Sequence, residues 1–142
     1  MRKTIGLVLC LGFLLSAGCS HDADYDDDSL NIVIFENMTG HSLQLDMWEW
    51  NSGIEKEFCS LDIPVGSSNS KEVVRFIFST GVFSTCSILF DDGKTLKYHC
   101  ERDGVKNDPT SPLTPAAYTI DRTKRRCYWT FRITEDHYQK AE

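Results

Sequence analysis

The sequence predicts an all-β domain, an antiparallel β-sandwich of about seven strands, with a partly open β-barrel as the alternative. Short apolar or alternating runs are separated by turn residues at intervals of about 8 to 14 residues, a spacing typical of all-β domains. No segment longer than a turn or two has the period of a helix, and no internal repeat is present. The chain from residue 30 to residue 142 is long enough for one core and too short for two.

The expected strands are residues 31–37, 41–50, 54–61, 73–78, 86–90, 95–100, 118–120 and 127–133. The second run, 41–50, lies between the turn motifs Met-Thr-Gly at 38–40 and Asn-Ser-Gly at 51–53. These turn motifs around the second run predict the first hairpin. Asp-Asp-Gly-Lys at 91–94 predicts a second hairpin. Residues 101–115 contain three prolines and predict a long surface loop. Thr134 and the two acids after it predict a brief helical turn.

The N-terminus has the zones of an export signal. Arg2 and Lys3 precede an uncharged, Leu-rich run at 5–15, which is shorter than the roughly 20 residues that span a bilayer. The small residues Ser-Ala-Gly at 16–18 lead directly to Cys19. This segment resembles the lipobox of bacterial lipoproteins, although that family prefers Leu three residues before the cysteine, where this chain has Ser. Ordinary secretion with cleavage after residue 17 or 18 is the alternative.

The lipobox resemblance implies that Cys19 carries lipid, palmitate included, and becomes the mature N-terminus. We therefore expect a signal peptide at 1–18, a lipidated cysteine with an acidic tether at 19–29, and one β-rich domain at 30–142. Five of the seven residues at 22–28 are Asp, and their mutual repulsion favours an extended tether. Two or more acyl chains hold a protein stably on a membrane, so the expected partner is the membrane itself.

Acidic residues just after the lipidated cysteine resemble the export signal of surface lipoproteins in the Bacteroidota. The order of turn motifs, from Ile-Pro-x-Gly at 63–66 to Phe-Asp-Asp-Gly-Lys at 90–94 and Thr-Glu-Asp at 134–136, resembles small uncharacterised Bacteroides lipoproteins. This resemblance implies an outer-membrane location, at the cell surface or alternatively facing the periplasm. It implies no chemistry, since that group has no assigned activity.

The charge balance argues against nucleic acid as a partner. Loss of Arg2 and Lys3 with the signal peptide leaves 13 of the 15 basic residues against 21 acidic ones. The only basic cluster is the short run at 122–126, which is too small for a nucleic-acid-binding surface.

Four cysteines remain after Cys10 leaves with the signal and Cys19 takes lipid. They are Cys59, Cys86, Cys100 and Cys127, and their spacing fits no C-x-x-C metal or redox motif. An even number in an exported domain favours disulfides. Strand-end placement predicts Cys100 with Cys127 and, by elimination, Cys59 with Cys86. Buried free thiols are the alternative.

We expect no enzyme, no cofactor and no metal site, because none of the nucleophile, zinc or phosphate-loop motifs occurs. A binding surface is the stronger hypothesis. Trp48 and Trp50 share the strand face opposite Leu43, Leu45 and Met47, with Asp46 beside them, and predict a ligand platform for a sugar or a protein. In the alternative interpretation, a register shift or bulge near Asn51 turns both indoles into the core or its rim.

Two functions therefore remain open. The first is a non-catalytic binding module for glycan or protein, and the second is a structural accessory subunit of an outer-membrane assembly. Exposed, coplanar indoles favour a glycan ligand, whereas a long, uncovered apolar edge strand favours assembly by strand addition.

Overall fold

The computed structural model describes residues 30–73, 83–100 and 109–142. The signal peptide, Cys19 and the acidic tether lie outside these residues, as do most of the predicted strand 73–78 and of the predicted loop 101–115. The elements are β1 (Leu30–Asn37), β2 (Leu43–Asn51), β3 (Ile54–Ile63), β4 (Ser68–Val73), β5 (Phe83–Phe90), β6 (Thr95–His99), a 3-10 turn (Pro115–Ala117), β7 (Thr119–Arg122), β8 (Arg126–Ile133) and α1 (Glu135–Lys140).

The strands form two four-stranded sheets that do not close into a barrel. One sheet has the order β4-β1-β8-β7 and the other the order β3-β2-β5-β6. Every strand pair is antiparallel except β1 with β8, which run parallel. This arrangement confirms the predicted all-β sandwich, with eight strands in the described residues.

The core lies between the two sheets and is filled from alternate positions of the central strands. On β1 and β8 the inward residues include Val33, Phe35 and Phe131, all almost fully buried. On β2 and β5 the inward side chains include Met47 and Ile88. Burial at every second residue is what a sheet with one covered face requires.

The three predicted turn motifs at 38–40, 51–53 and 91–94 have different outcomes. The turns at 51–53 and 91–94 join antiparallel neighbours, β2 with β3 and β5 with β6, as predicted. Ser52 and Gly53 both have positive φ, 52° and 81°, the geometry of a type I′ hairpin turn. The expected hairpin across 38–40 is wrong, because β1 and β2 belong to opposite sheets.

Asn37 is where the chain crosses from one sheet to the other, and its side chain organises that end of the sandwich. Its Nδ2 donates to the carbonyl oxygens of His41, Ile63 and Pro64 at 2.7, 3.1 and 3.2 Å. Its Oδ1 accepts from the backbone N–H and the hydroxyl of Thr39 at 3.0 and 2.8 Å. The Asn37 end of the sandwich is thus the end that holds the β1–β2 and β3–β4 connections.

The opposite end of the sandwich is the Leu30 end, where the chain enters the domain. The Leu30 N–H donates to the Arg125 carbonyl oxygen at 3.2 Å, so the entry point lies beside the β7–β8 turn. Because Leu43 pairs with Ile63 at the Asn37 end, the β2–β3 turn lies at the Leu30 end.

The disulfide predictions are wrong in this structure. Cys59 and Cys86 both pair with Met47 from opposite sides, so β2 lies between them. Two interstrand spacings amount to about 9.6 Å, more than the about 7 Å that a disulfide bridges. Cys100 follows β6 and Cys127 lies on β8 of the other sheet, so they are not on neighbouring strands. None of these four cysteines is bonded to another.

The helix α1 confirms the predicted turn after Thr134. His137 fixes its start, because its Nδ1 accepts the Thr134 N–H at 3.0 Å. On its other side the His137 Nε2 lies 3.1 Å from the Thr110 carbonyl oxygen, which requires the proton on Nε2. No helix in the described residues is long and apolar enough to cross a membrane.

Candidate functional site

The outer face of the β3-β2-β5-β6 sheet carries the predicted platform residues. Leu43, Leu45 and Met47 point into the core, and the residues between them face outwards. Both neighbours of β2 are bulged here, because Phe58 is an extra residue on β3 opposite Met47 and Trp48, and Ser84 is an extra residue on β5 opposite Trp48 and Glu49. The bulges lie before Asn51, and both indoles are half-buried and lie outside the core.

The bulges change which neighbouring residues are buried. On β3 the consecutive residues Phe58 and Cys59 are both buried, and on β5 so are Phe83 and Ser84. The rings of Phe58 and Phe83 meet edge to face, with 4.8 Å between centroids. This aromatic contact closes the core beneath the part of β2 whose two neighbours are bulged.

Asp46 is held by polar side chains on its own face. It accepts a hydrogen bond from the Ser60 hydroxyl at 2.6 Å and from the Gln44 Nε2 at 3.2 Å. Gln44 also lies 3.4 Å from the Ser60 hydroxyl. These bonds fix the carboxylate in place while the residue remains half-buried at the surface.

Glu55 links β3 with β5 across the full width of β2. Its Oε1 accepts hydrogen bonds from the Ser84 hydroxyl at 2.5 Å and from the Thr85 hydroxyl at 3.1 Å. The Thr85 hydroxyl also lies 3.2 Å from the His99 Nδ1. The Thr85 hydroxyl donates its proton to Glu55, so the His99 imidazole donates to that hydroxyl through Nδ1–H. The other ring nitrogen, Nε2, then carries no proton.

The two indoles lie on the same outer face of the sheet as the Glu55 side chain and its Thr85 partner. Trp50 pairs with Glu55 on β3, and Trp48 pairs with Thr85 on β5. We call this cluster of Trp48, Trp50, Glu55, Thr85 and His99 the Trp48 face. The Trp50 Nε1 is buried and has no hydrogen-bond partner among the described residues.

The Trp48 face is acidic. Glu57 lies directly opposite Trp48 and Glu55 opposite Trp50, whereas Glu49, between the indoles in sequence, points to the other face of the sheet. The salt bridges found in residues 30–73, 83–100 and 109–142 are His41–Asp91 and Arg132–Glu36, and both lie elsewhere. The carboxylates of the Trp48 face therefore have no ion-pair partner within the described parts of the chain.

A second polar cluster lies at the Asn37 end. The His41 Nδ1 lies 2.9 Å from Asp91 Oδ1, and the His41 ring stacks on Tyr138 with 4.0 Å between centroids. The Tyr138 hydroxyl donates to Asp92 at 2.7 Å, and the Lys94 ammonium lies 4.4 Å from the centre of the Tyr138 ring. These contacts attach α1 to the β5–β6 hairpin.

The hydrogen bonds of this cluster shift the pKa values of three of its side chains. The bond to His41 lowers the pKa of Asp91, and the bond from the Tyr138 hydroxyl lowers the pKa of Asp92. The same bond raises the pKa of Tyr138. One ligand atom each from His41, Asp91 and Asp92 lie within 4.8 Å of one another. Each of these side chains already has a partner within the fold, so the cluster is explained as a joint between elements.

An open depression of about 280 Å³ lies on the same sheet near this cluster. Its walls include Gln44, Asp62, Pro64, Leu89 and Asp91. Leu89 is one of the exposed large apolar residues. The depression holds no buried polar group without a partner in the described residues, in contrast to the Trp48 face.

Cys59 and Cys86 are held in their protonated thiol form. Burial raises the pKa of Cys59 to about 12 and the pKa of Cys86 well above its usual value. A thiol is reactive as its thiolate, and these two remain protonated at neutral pH.

No protein-family model, curated protein or solved structure matches this chain. The interpretation of the Trp48 face therefore rests on its own geometry.

The sequence identified only part of this face. Trp48, Trp50 and Asp46 were found from strand alternation, and the structure adds that Asp46 accepts hydrogen bonds from Ser60 and Gln44. Glu55 and His99 were missed, because the Glu55 bonds join residues 29 and 30 positions apart. The charged Ile-Glu-Lys-Glu start of β3, directly after a hairpin turn, was the signal available in the sequence.

Proposed function

We propose that this protein is a non-catalytic, lipid-anchored binding module of the outer membrane whose Trp48 face takes a glycan. The observation that carries the proposal is the combination of two half-buried indoles with a hydrogen-bonded carboxylate, hydroxyl and imidazole on one sheet face. Sugars offer apolar C–H faces to aromatic rings and hydroxyl groups to carboxylates and imidazoles. Both kinds of contact are available within this cluster.

The edge strands favour a binding module over an accessory subunit that adds strands to a larger assembly. The edge strand β3 is long, but residues 54–57 at its start are exposed and three of them are charged. The edge strand β4 is polar, and β6 and β7 are only five and four residues long. Short, polar or charged edges protect a sheet from pairing with another chain.

The lipid anchor and outer-membrane location rest on residues 1–29, which lie outside the described part. Their support is the Ser-Ala-Gly-Cys sequence at 16–19 and the acidic tether after it. The strand β1 begins at Leu30, directly after that tether in the sequence, so an anchored domain would be held to the membrane by its Leu30 end.

Replacement of Trp48 by Ala is expected to lower glycan affinity at least about tenfold, because loss of one stacking contact of about 1.4 kcal/mol has that effect. The mature chain would first be screened on a glycan array, and its best ligands titrated by calorimetry. Tyr128→Ala is the matched control, since Tyr128 is a half-buried aromatic on β8 of the other sheet.

Unchanged affinity in a folded Trp48→Ala protein, or equal loss in Tyr128→Ala, would show that the Trp48 face is not the binding surface. Failure of the wild-type chain to bind any glycan would reject the proposed function itself.

Replacement of Cys19 by Ala is expected to release the protein from membranes or leave an uncleaved precursor, because no thioether bond to lipid can form. Fractionation of cells with detection of the mature and precursor sizes measures this. Cys10→Ala, within the expected signal peptide, is the control and should leave the anchor intact. A mature-size Cys19→Ala protein that still sediments with membranes is the result that contradicts a lipid anchor.

A further inference from the structure

We infer that the glycan bound by the Trp48 face carries protonated amines, which places it in the class of amino sugars with free ammonium groups. The inference rests on the proposed glycan-binding function and adds the charge of the ligand to it. Three features of the face lead to it: the two indoles, the state of the Glu55 carboxylate, and the surrounding charge.

The indoles favour a cation. The face of an indole ring attracts ammonium groups more strongly than the other aromatic side chains do. Trp48 and Trp50 lie two positions apart on the same side of β2, so a ligand on this face meets both. Each is half-buried, which holds the rings in place while leaving part of their surface open.

The Glu55 carboxylate has a free side. Both of its hydrogen bonds within the described residues go to Oε1, from Ser84 and Thr85. Oε2 accepts no hydrogen bond, and no cation forms a salt bridge with this carboxylate among those residues. Two hydroxyl donors fix the carboxylate in position without neutralising it, and an ammonium has three donors to offer to Oε2.

The charge around the Trp48 face also favours a positively charged ligand. Glu57 lies opposite Trp48, Glu55 lies opposite Trp50, and Asp46 is the next outward residue along β2. Lys97 on β6 is the cation in register with Ser87 and Asp46 on this face, whereas Lys56 pairs with Glu49 and points to the other face. Carboxylates outnumber cations around the face, so it attracts a positively charged sugar and repels uronic acids and sulfated sugars.

The test compares two oligosaccharides that differ only in acetylation: the β-1,4-linked glucosamine tetramer and its fully N-acetylated form. Calorimetry with the mature wild-type chain at about pH 6, where sugar amines are protonated, is expected to show at least about tenfold tighter binding of the glucosamine tetramer. Because a charge contact is screened by ions, this preference should shrink as salt is added.

The variant Glu55→Gln keeps an acceptor for Ser84 and Thr85 and removes the charge. We expect it to lose about tenfold in affinity for the glucosamine tetramer and little for the N-acetylated one. Glu72→Gln, an exposed residue on β4 of the other sheet, changes the net charge equally and should change neither affinity.

Equal binding of the two tetramers, or tighter binding of the N-acetylated one, would overturn this inference and leave the glycan proposal standing. Failure of both, together with an empty glycan array, would reject the glycan proposal instead. A lysine-rich peptide that displaces the glucosamine tetramer at equal charge concentration would show that the face takes cations without regard to the sugar, and would also overturn the inference.

Discussion

Replacement of Phe131 by Ala is expected to lower the free energy of unfolding by about 3–5 kcal/mol, the usual cost of removing a fully buried phenyl ring. Phe131 is 1% exposed on the central strand β8 and joins three parts of the molecule. Its ring contacts Phe35 of β1, Tyr118 of the segment before β7, and His137 of α1, with centroids 6.5, 5.6 and 5.4 Å apart.

The free energy of unfolding of a domain of this size is about 5 to 15 kcal/mol, so the Phe131→Ala protein should be close to unfolding at room temperature. Urea titration followed by circular dichroism measures the change. Phe131→Leu should cost less than about 1.5 kcal/mol, because most of the volume is kept. Arg132→Ala removes only an exposed ion pair with Glu36 and should cost less than about 1 kcal/mol. A Phe131→Ala loss no greater than that of Arg132→Ala would show that the core is not centred on this ring.

The fold class was predictable because local patterns determine it. Alternation along β2 and β8, together with turn residues at 51–53 and 91–94, predicted strands and two tight connections that the structure confirms. These signals depend on neighbours within a few residues, where the backbone preferences of Gly, Asn and Asp act.

The arrangement of strands was less predictable, because it depends on contacts between distant segments. The parallel pairing of β1 with β8 joins residues almost a hundred positions apart, and the sequence of neither strand indicates this pairing. The strand β4 was missed since its Ser-Asn-Ser-Lys-Glu-Val sequence has no apolar alternation. An edge strand that pairs on one side only is stabilised by the backbone of β1 and needs little apolar surface of its own.

The cysteine pairing shows the same limit. Strand-end placement brought Cys100 and Cys127 together only if β6 and β8 were neighbours, and the two strands lie in different sheets. The four cysteines lie in strands or directly beside one, and three are buried. Cysteine packs well in cores as a small apolar residue, so its parity in a sequence does not determine whether disulfides form.

Replacement of Asn37 by Asp is expected to lower the free energy of unfolding by about 3–5 kcal/mol at neutral pH, although the two side chains have the same shape. Asn37 is 1% exposed, and its Nδ2 faces the carbonyl oxygens of His41, Ile63 and Pro64. A carboxylate in its place has no N–H to donate and brings a buried negative charge against three acceptors. The connections between the two sheets at the Asn37 end lose their common anchor.

The stability that the Asn37→Asp protein loses should depend on pH, and the loss should be larger at higher pH. The surrounding carbonyl oxygens and burial raise the pKa of the new carboxyl in the folded state above that in the unfolded state. Its proton therefore stabilises the fold at low pH, and that contribution is lost as pH rises through the folded-state pKa. The difference from wild type, measured by urea titration at each pH, should be smaller at about pH 4 than at about pH 7. Asn69→Asp is the control, because Asn69 is exposed and donates one bond to the Asp62 carbonyl oxygen at 3.2 Å. A pH-independent Asn37→Asp loss, or one equal to that of Asn69→Asp, would show that the Asn37 side chain does not hold this end of the sandwich together.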